Sequence, residues 1–207
     1  MGPVHRHALI ATSVDVLAAG PVATTPEERA RADRLHRPED RRDYLASRVL
    51  ARALVAHHTG AEPDDVRFSQ TCARCAGPHG RPVVVGLDVH VAWSHSAGLV
   101  AAIVDDDPCA VDLESLAALR TGALPLGALA AGERVWLDDQ ADRPRAFAEL
   151  WVRKEVLVKL GDLTLDQTAG VDVTPSFSGR PVRGRYLVAL DPGPHDAVAA
   201  WSTTGRV

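Results

Sequence analysis

Lysine is almost missing from this 207-residue chain: Lys154 and Lys159 are the two it has, and they flank one glutamate. Cysteine is also scarce and odd in number, three in all, which excludes the paired framework of a small disulfide-held domain. No apolar run approaches the roughly 20 residues of a membrane-spanning helix. The first residues lack a basic stretch followed by a long apolar one, and Asp15 interrupts the nearest candidate. These absences predict a cytoplasmic protein with no membrane partner. A formal net charge of −4 and a pI near 6.1 argue against a wholesale nucleic-acid binder.

What is present is an ordinary globular composition, 46% hydrophobic with mean hydropathy near zero, long enough to bury one large core or two small ones. Charge is unevenly spread: residues 29–52 hold eight arginines, and residues 105–114 hold five acids.

Residues 7–17 read as an opening strand. Thr25-Pro26-Glu27-Glu28 predicts a helix start, with Thr25 as cap, proline at the first helical position and Glu28 closing a capping box. A second helix is expected from about Pro38 to His58, with Leu45, Val49 and Ala53 on its apolar stripe. Arg41, Arg42, Arg48 and Arg52 lie on its flanks, as a solvated face paired with Asp40 and Asp43 or as an anion site. Residues from Val66 begin a short strand. Val89–Val104 reads as a hairpin turning at Ser94-His95-Ser96-Ala97-Gly98, and Cys109–Ser115 returns as the central strand. Further helices are expected over about Ala131–Asp138 and Arg143–Leu160, and three strands over Val171–Thr174, Arg185–Leu190 and Ala197–Ser202. Helices and strands are similarly proportioned in each half, which predicts an α+β fold made of a duplicated unit.

Cys72-Ala73-Arg74-Cys75 with His79 can furnish three zinc ligands, with Cys109 or another histidine as a fourth. Without a second C-x-x-C, a tight turn holding two small thiols is the preferred reading. In Val111-Asp112-Leu113-Glu114-Ser115, alternation predicts a strand end. Side chains two apart share a face, so Asp112 and Glu114 stand side by side. Two such carboxylates repel unless a cation lies between them, and oxygen ligands with room for phosphate suit Mg²⁺. Two solvated surface acids are the plainer alternative. Glu155 and Lys159, four apart on a helix, share a face and can form an ordinary surface pair.

The order of Gly80-Arg81-Pro82, Trp93-Ser94-His95-Ser96, Val111-Asp112-Leu113-Glu114 and Trp151-Val152-Arg153-Lys154-Glu155-x-x-x-Lys159 resembles the 4′-phosphopantetheinyl transferases. The length is similar to that of the larger, two-lobed, surfactin-synthetase-activating type. The resemblance implies two similar lobes, residues 1–104 and 105–207, each a small antiparallel sheet packed on helices. Coenzyme A would lie between them, its phosphates contacted from the first lobe. It also implies transfer of the phosphopantetheine arm of coenzyme A to a serine of an apo acyl or peptidyl carrier protein, releasing adenosine 3′,5′-bisphosphate. Asp112, Glu114 and Glu155 would hold Mg²⁺, or Mn²⁺. Glu155 would serve as base for the serine, directly or through a metal-bound water, and Lys159 would meet the transferred phosphate. Asp112, Glu155 and Lys159 are thus the catalytic candidates. Arg31, Arg42, Arg81, Ser94, His95 and Lys154 join Lys159 as coenzyme A contacts. The family's Gly-x-Gly-Leu after the last lysine is replaced by Leu160-Gly161-Asp162-Leu163, which implies a shorter loop. With both halves in one chain, a monomer is expected.

Two other readings compete. A nucleic-acid module on the arginine helix leaves Asp112, Glu114 and Glu155 unexplained. A catalytically silent binder of coenzyme A or carrier protein would be marked by loss of a metal carboxylate, and all three are present.

Overall fold

The computed structural model describes residues 8–20, 24–71, 77 and 80–202. The Cys72/Cys75/His79 motif therefore lies outside the described residues. The chain divides into two compact units, one ending at Cys109 and the other beginning at Ala110. Both are mixed α+β with small antiparallel sheets.

In the first unit β1 (Ala8–Thr12) leads directly into α1 (Ser13–Ala18), then α2 (Pro26–Ala32) and α3 (Pro38–Thr59). A two-stranded sheet follows, β2 (Phe68–Gln70) with β3 (Pro82–Val84), and then the hairpin β4 (His90–Ser96) and β5 (Leu99–Asp105). The three-stranded sheet has the order β1-β5-β4. The opening strand is shorter than its apolar pattern suggests. The Thr12 hydroxyl accepts from the Asp15 amide at 3.0 Å, a cap that starts a helix where a longer strand was expected.

The hairpin turn is also tighter than expected. Only Ala97 and Gly98 turn, at φ of 48° and 86°, the two positive values of a type I′ hairpin. Ser94, His95 and Ser96 consequently belong to β4 rather than to a turn. The Asp43 carboxylate, buried on α3, accepts from the Gly98 amide at 2.9 Å and from the Ser13 hydroxyl at 2.6 Å. It anchors the hairpin and α1 instead of pairing with arginine. All seven residues of β5 are buried, and Leu50, Leu54 and Val55 of α3 join Val91, Val100, Ala102 and Val104 in the core.

Two flank arginines are inside. Arg52 has no exposed surface; it pairs with Glu28 Oε1 at 2.6 Å and donates to the Val66 carbonyl at 3.1 Å. Glu28 still closes the expected capping box through its other oxygen, which accepts from the Thr25 amide at 2.9 Å. Arg48 is 8% exposed and lies over the Tyr44 ring at 3.5 Å from its centroid.

The second unit orders β6 (Ala110–Ser115), β7 (Val188–Leu190) and β8 (Ala197–Ser202) as β6-β8-β7, so β6 is an edge strand and β8 the middle one. Its helices are α4 (Ala117–Thr121), α5 (Ala131–Asp138) and α6 (Arg143–Leu160). Val171–Thr174 is not a strand. The Val173 amide donates to the Glu133 side chain at 2.9 Å, and a 3₁₀ turn follows over Thr174–Ser178. Arg185 sits in a turn, paired with Asp162 at 2.7 Å, ahead of the short β7.

Candidate active site

Helix α6 has firm ends. The Asp142 carboxylate caps it by accepting from the Arg145 amide at 3.1 Å, and Gly161 closes it in the left-handed region at φ 80°. Phe147, Leu150, Val156, Leu157 and Leu160 are buried along it, and the helix packs against β6 and β8. Its last turns carry Glu155 and Lys159 beside β6.

On β6, Asp112 stands opposite Ala200 and Glu114 opposite Val198, so both carboxylates face the same side. Asp112 is 5% exposed; Glu114 is half-buried. Lys159 Nζ donates to Asp112 Oδ1 at 2.7 Å and to the Val111 carbonyl at 2.9 Å. Burial raises the Glu155 carboxyl above its usual range; the charge of Asp112 and then of Glu114 pushes the same way, while Lys159 opposes them. Asp112, Glu114, Glu155 and Lys159 thus form one electrostatic cluster, three acids against one base. The donors are all hard carboxylate oxygens, the chemistry that a magnesium-like cation takes. Among the described residues, no three Asp, Glu, His or Cys side chains are yet arranged to enclose an ion.

Lys154, one residue from Glu155, has a different setting from the one the resemblance implies. Its side chain is wholly buried, bonded to Glu133 Oε2 at 2.8 Å, to the Thr168 carbonyl at 2.7 Å and to the Val171 carbonyl. Three acceptors match the three ammonium donors, and the side chain has no surface left to offer a ligand.

The remaining sequence candidates belong to the first unit. Arg31 is exposed on α2 and lines a cavity of about 400 Å³ with Arg34, Tyr44, Arg48, Arg67 and Trp93. Burial lowers the Arg48 guanidinium below the ordinary arginine value. Arg42 on α3 and Arg81 ahead of β3 are exposed, and neither lines this cavity. On β4, Ser94 is buried opposite Ala101 and His95 is exposed opposite Val100.

Arg34 and Arg67 at this cavity, and in the second unit the Glu133 partner of Lys154, are residues that sequence reasoning missed, whereas Arg48 is one of the flank arginines weighed as an anion site. Only Glu133 had a usable signal, an acid three residues after a helix start.

The fold and cluster define a mixed α+β protein with an acid-rich, lysine-bearing site at the junction of a strand and a helix. No known family model matches the chain. The chain is similar to a Synechocystis protein provisionally named a 4′-phosphopantetheinyl transferase, with 26% identity over 141 residues, which is 64% of this chain and 54% of that protein. The chain thus spans about half the length of the curated relative it matches.

Proposed function

We propose that this protein transfers the 4′-phosphopantetheine arm of coenzyme A to a serine hydroxyl of an apo acyl or peptidyl carrier protein. The observation that carries the reading is the meeting of Asp112, Glu114, Glu155 and Lys159 at β6 and the end of α6. The name of the Synechocystis relative supports the same class. Phosphoryl transfer of this kind asks mainly for positioning and for cancellation of negative charge.

In this reading Asp112, Glu114 and Glu155 hold Mg²⁺ or Mn²⁺, which supplies charge neutralisation at the pyrophosphate. Closing on the ion would require these side chains to rearrange. Lys159 meets the phosphate that is transferred. Glu155 would accept the proton that the serine hydroxyl loses. The serine oxygen bonds to the β-phosphorus of coenzyme A as the bond to the bridging oxygen breaks, and adenosine 3′,5′-bisphosphate leaves with that oxygen. Ser94, His95, Arg81, Arg42 and Arg31 contact coenzyme A phosphates. The cavity that holds Arg31 supports a phosphate-bearing ligand with a flat ring, since guanidiniums and aromatic rings both line it. Lys154 acts here as a buried support.

We further propose that the protein belongs to the larger, two-lobed type, acts as a monomer in the cytoplasm, and arose by duplication of one α+β unit. The strand orders support the duplication: in each three-stranded sheet the first strand in sequence pairs with the last and the last with the middle one, with the longest helix of the unit lying between the first and middle strands in sequence. Burial of Arg52, paired with Glu28, takes one arginine away from the nucleic-acid alternative.

Calorimetric titration with coenzyme A and with its 3′-dephospho form tests the binding half of the proposal. Tighter binding of coenzyme A, lost on Arg31→Ala, is expected. Equal affinity for the two forms would contradict the role of these arginines.

A further inference from the structure

Asp112 presents one oxygen, Oδ1, to Lys159 Nζ at 2.7 Å, and its other oxygen, Oδ2, is shut away from solvent. In this state one carboxylate oxygen is buried and the other is engaged by the lysine. Lys159 is held from two sides, since the Val111 carbonyl accepts from the same ammonium at 2.9 Å. The side chain nonetheless keeps 29% of its surface exposed, against 7% for that of Asp112. Between the two partners, the lysine is the one with room to move and a long flexible stem on which to do it.

From these contacts we infer that Lys159 is an internal competitor of the divalent cation: it occupies Asp112 while the site is empty of substrate and gives that oxygen up when it turns to a phosphate. This rests on the metal role proposed for Asp112, Glu114 and Glu155. The same cluster then has two arrangements. In one, the ammonium lies against Asp112 at 2.7 Å and offsets the negative charge of the acids. In the other, the ammonium pairs with phosphate and Asp112 is released toward the cation. Phosphate and metal would therefore bind with positive coupling, because each favours the arrangement the other needs. A lysine that merely sat beside the metal site would repel the cation whether or not phosphate was bound.

The test is binding of Mn²⁺, followed by the loss of its free-ion electron paramagnetic resonance signal, on the whole chain with and without coenzyme A. Lys159→Met should bind Mn²⁺ at least about tenfold more tightly than the unaltered protein when coenzyme A is absent, a factor equal to about 1.4 kcal/mol. With coenzyme A present the order should reverse, because the lysine then assists. Lys159→Arg, which keeps the charge, should stay close to the unaltered protein in the absence of coenzyme A, and circular dichroism checks that each variant is folded. Equal or weaker Mn²⁺ binding by Lys159→Met without coenzyme A would overturn the competition while leaving the metal site standing. Failure of all three proteins to bind Mn²⁺ under either condition would remove the metal site, and the competition with it.

Discussion

Glu133 and Lys154 form an ion pair 2.8 Å long in which neither side chain has exposed surface. Glu133 also accepts from the Ala130 amide at 2.8 Å and the Val173 amide at 2.9 Å, while Lys154 donates to two carbonyls beyond α6. The pair therefore joins the start of α5, the middle of α6 and the segment 168–173. It sits one residue before Glu155, so it also fixes the turn of helix that carries that carboxylate. Removing one partner leaves the other charge buried and uncompensated. Lys154→Met should cost about 3–5 kcal/mol of stability, read from urea unfolding. A loss below about 1 kcal/mol, the scale of a surface pair, would show that the pair does not hold these elements.

Much of the second unit was legible in the sequence because it depends on local rules. The bounds of α5 and α6 follow from apolar periodicity, Gly161 and an acidic cap, and the facing of Asp112 and Glu114 follows from the period of two along a strand. What was not legible depends on partners distant in sequence. Arg52 looks like a surface charge until Glu28, 24 residues earlier, is brought against it. Lys154 looks like a ligand contact until Glu133 is. The turn of β4 and β5 was misplaced because Ser94-His95-Ser96 is polar, whereas the positive φ of Ala97 and Gly98 decides where the chain reverses. For the candidate site, the sequence brought Glu155 and Lys159 onto one helix face, but the Lys159–Asp112 contact spans 47 residues and needed the fold.

Glu155 provides a pH-dependent prediction. Its folded value is raised above the unfolded one, so its contribution to stability is fully present below the unfolded value and is lost as pH rises through the folded value. At neutral pH, without divalent cations, Glu155→Gln should therefore melt at a higher temperature than the unaltered protein. The difference should shrink as pH falls below the ordinary carboxyl range. Adding Mg²⁺ should stabilise the unaltered protein more than the variant. A Glu155→Gln protein that melts lower at neutral pH without metal would contradict the origin assigned to the shift.

Cys109 is buried, and its thiol is pushed up to about 12, mostly by burial, with the Asp105 charge adding to it. A thiol held neutral is a poor nucleophile. In a Cys72→Ser, Cys75→Ser background, native protein at pH 8 should take up no iodoacetamide label over the time in which unfolded protein takes one, as counted by intact mass. Rapid labelling of the native form would mean that Cys109 is reached by solvent. Transfer activity of this doubly substituted protein should match that of the unaltered chain, since no step above uses either cysteine.

Asp112→Asn keeps the shape of the side chain and removes the charge that Lys159 and the proposed metal both use. The variant should stay folded by circular dichroism and lose at least about a hundredfold in transfer rate, the scale of removing one charge-stabilising group from an active site. A rate within threefold of the unaltered protein at saturating Mg²⁺ would take Asp112 out of the machinery.

The most direct measurement is the intact mass of an apo carrier protein after incubation with this protein, coenzyme A and Mg²⁺, with and without EDTA. The proposed function predicts that the carrier gains the mass of one phosphopantetheine arm, that adenosine 3′,5′-bisphosphate appears in equal amount, and that EDTA suppresses both. An unchanged mass across several apo carriers, from a protein that still binds coenzyme A and Mn²⁺, would contradict it.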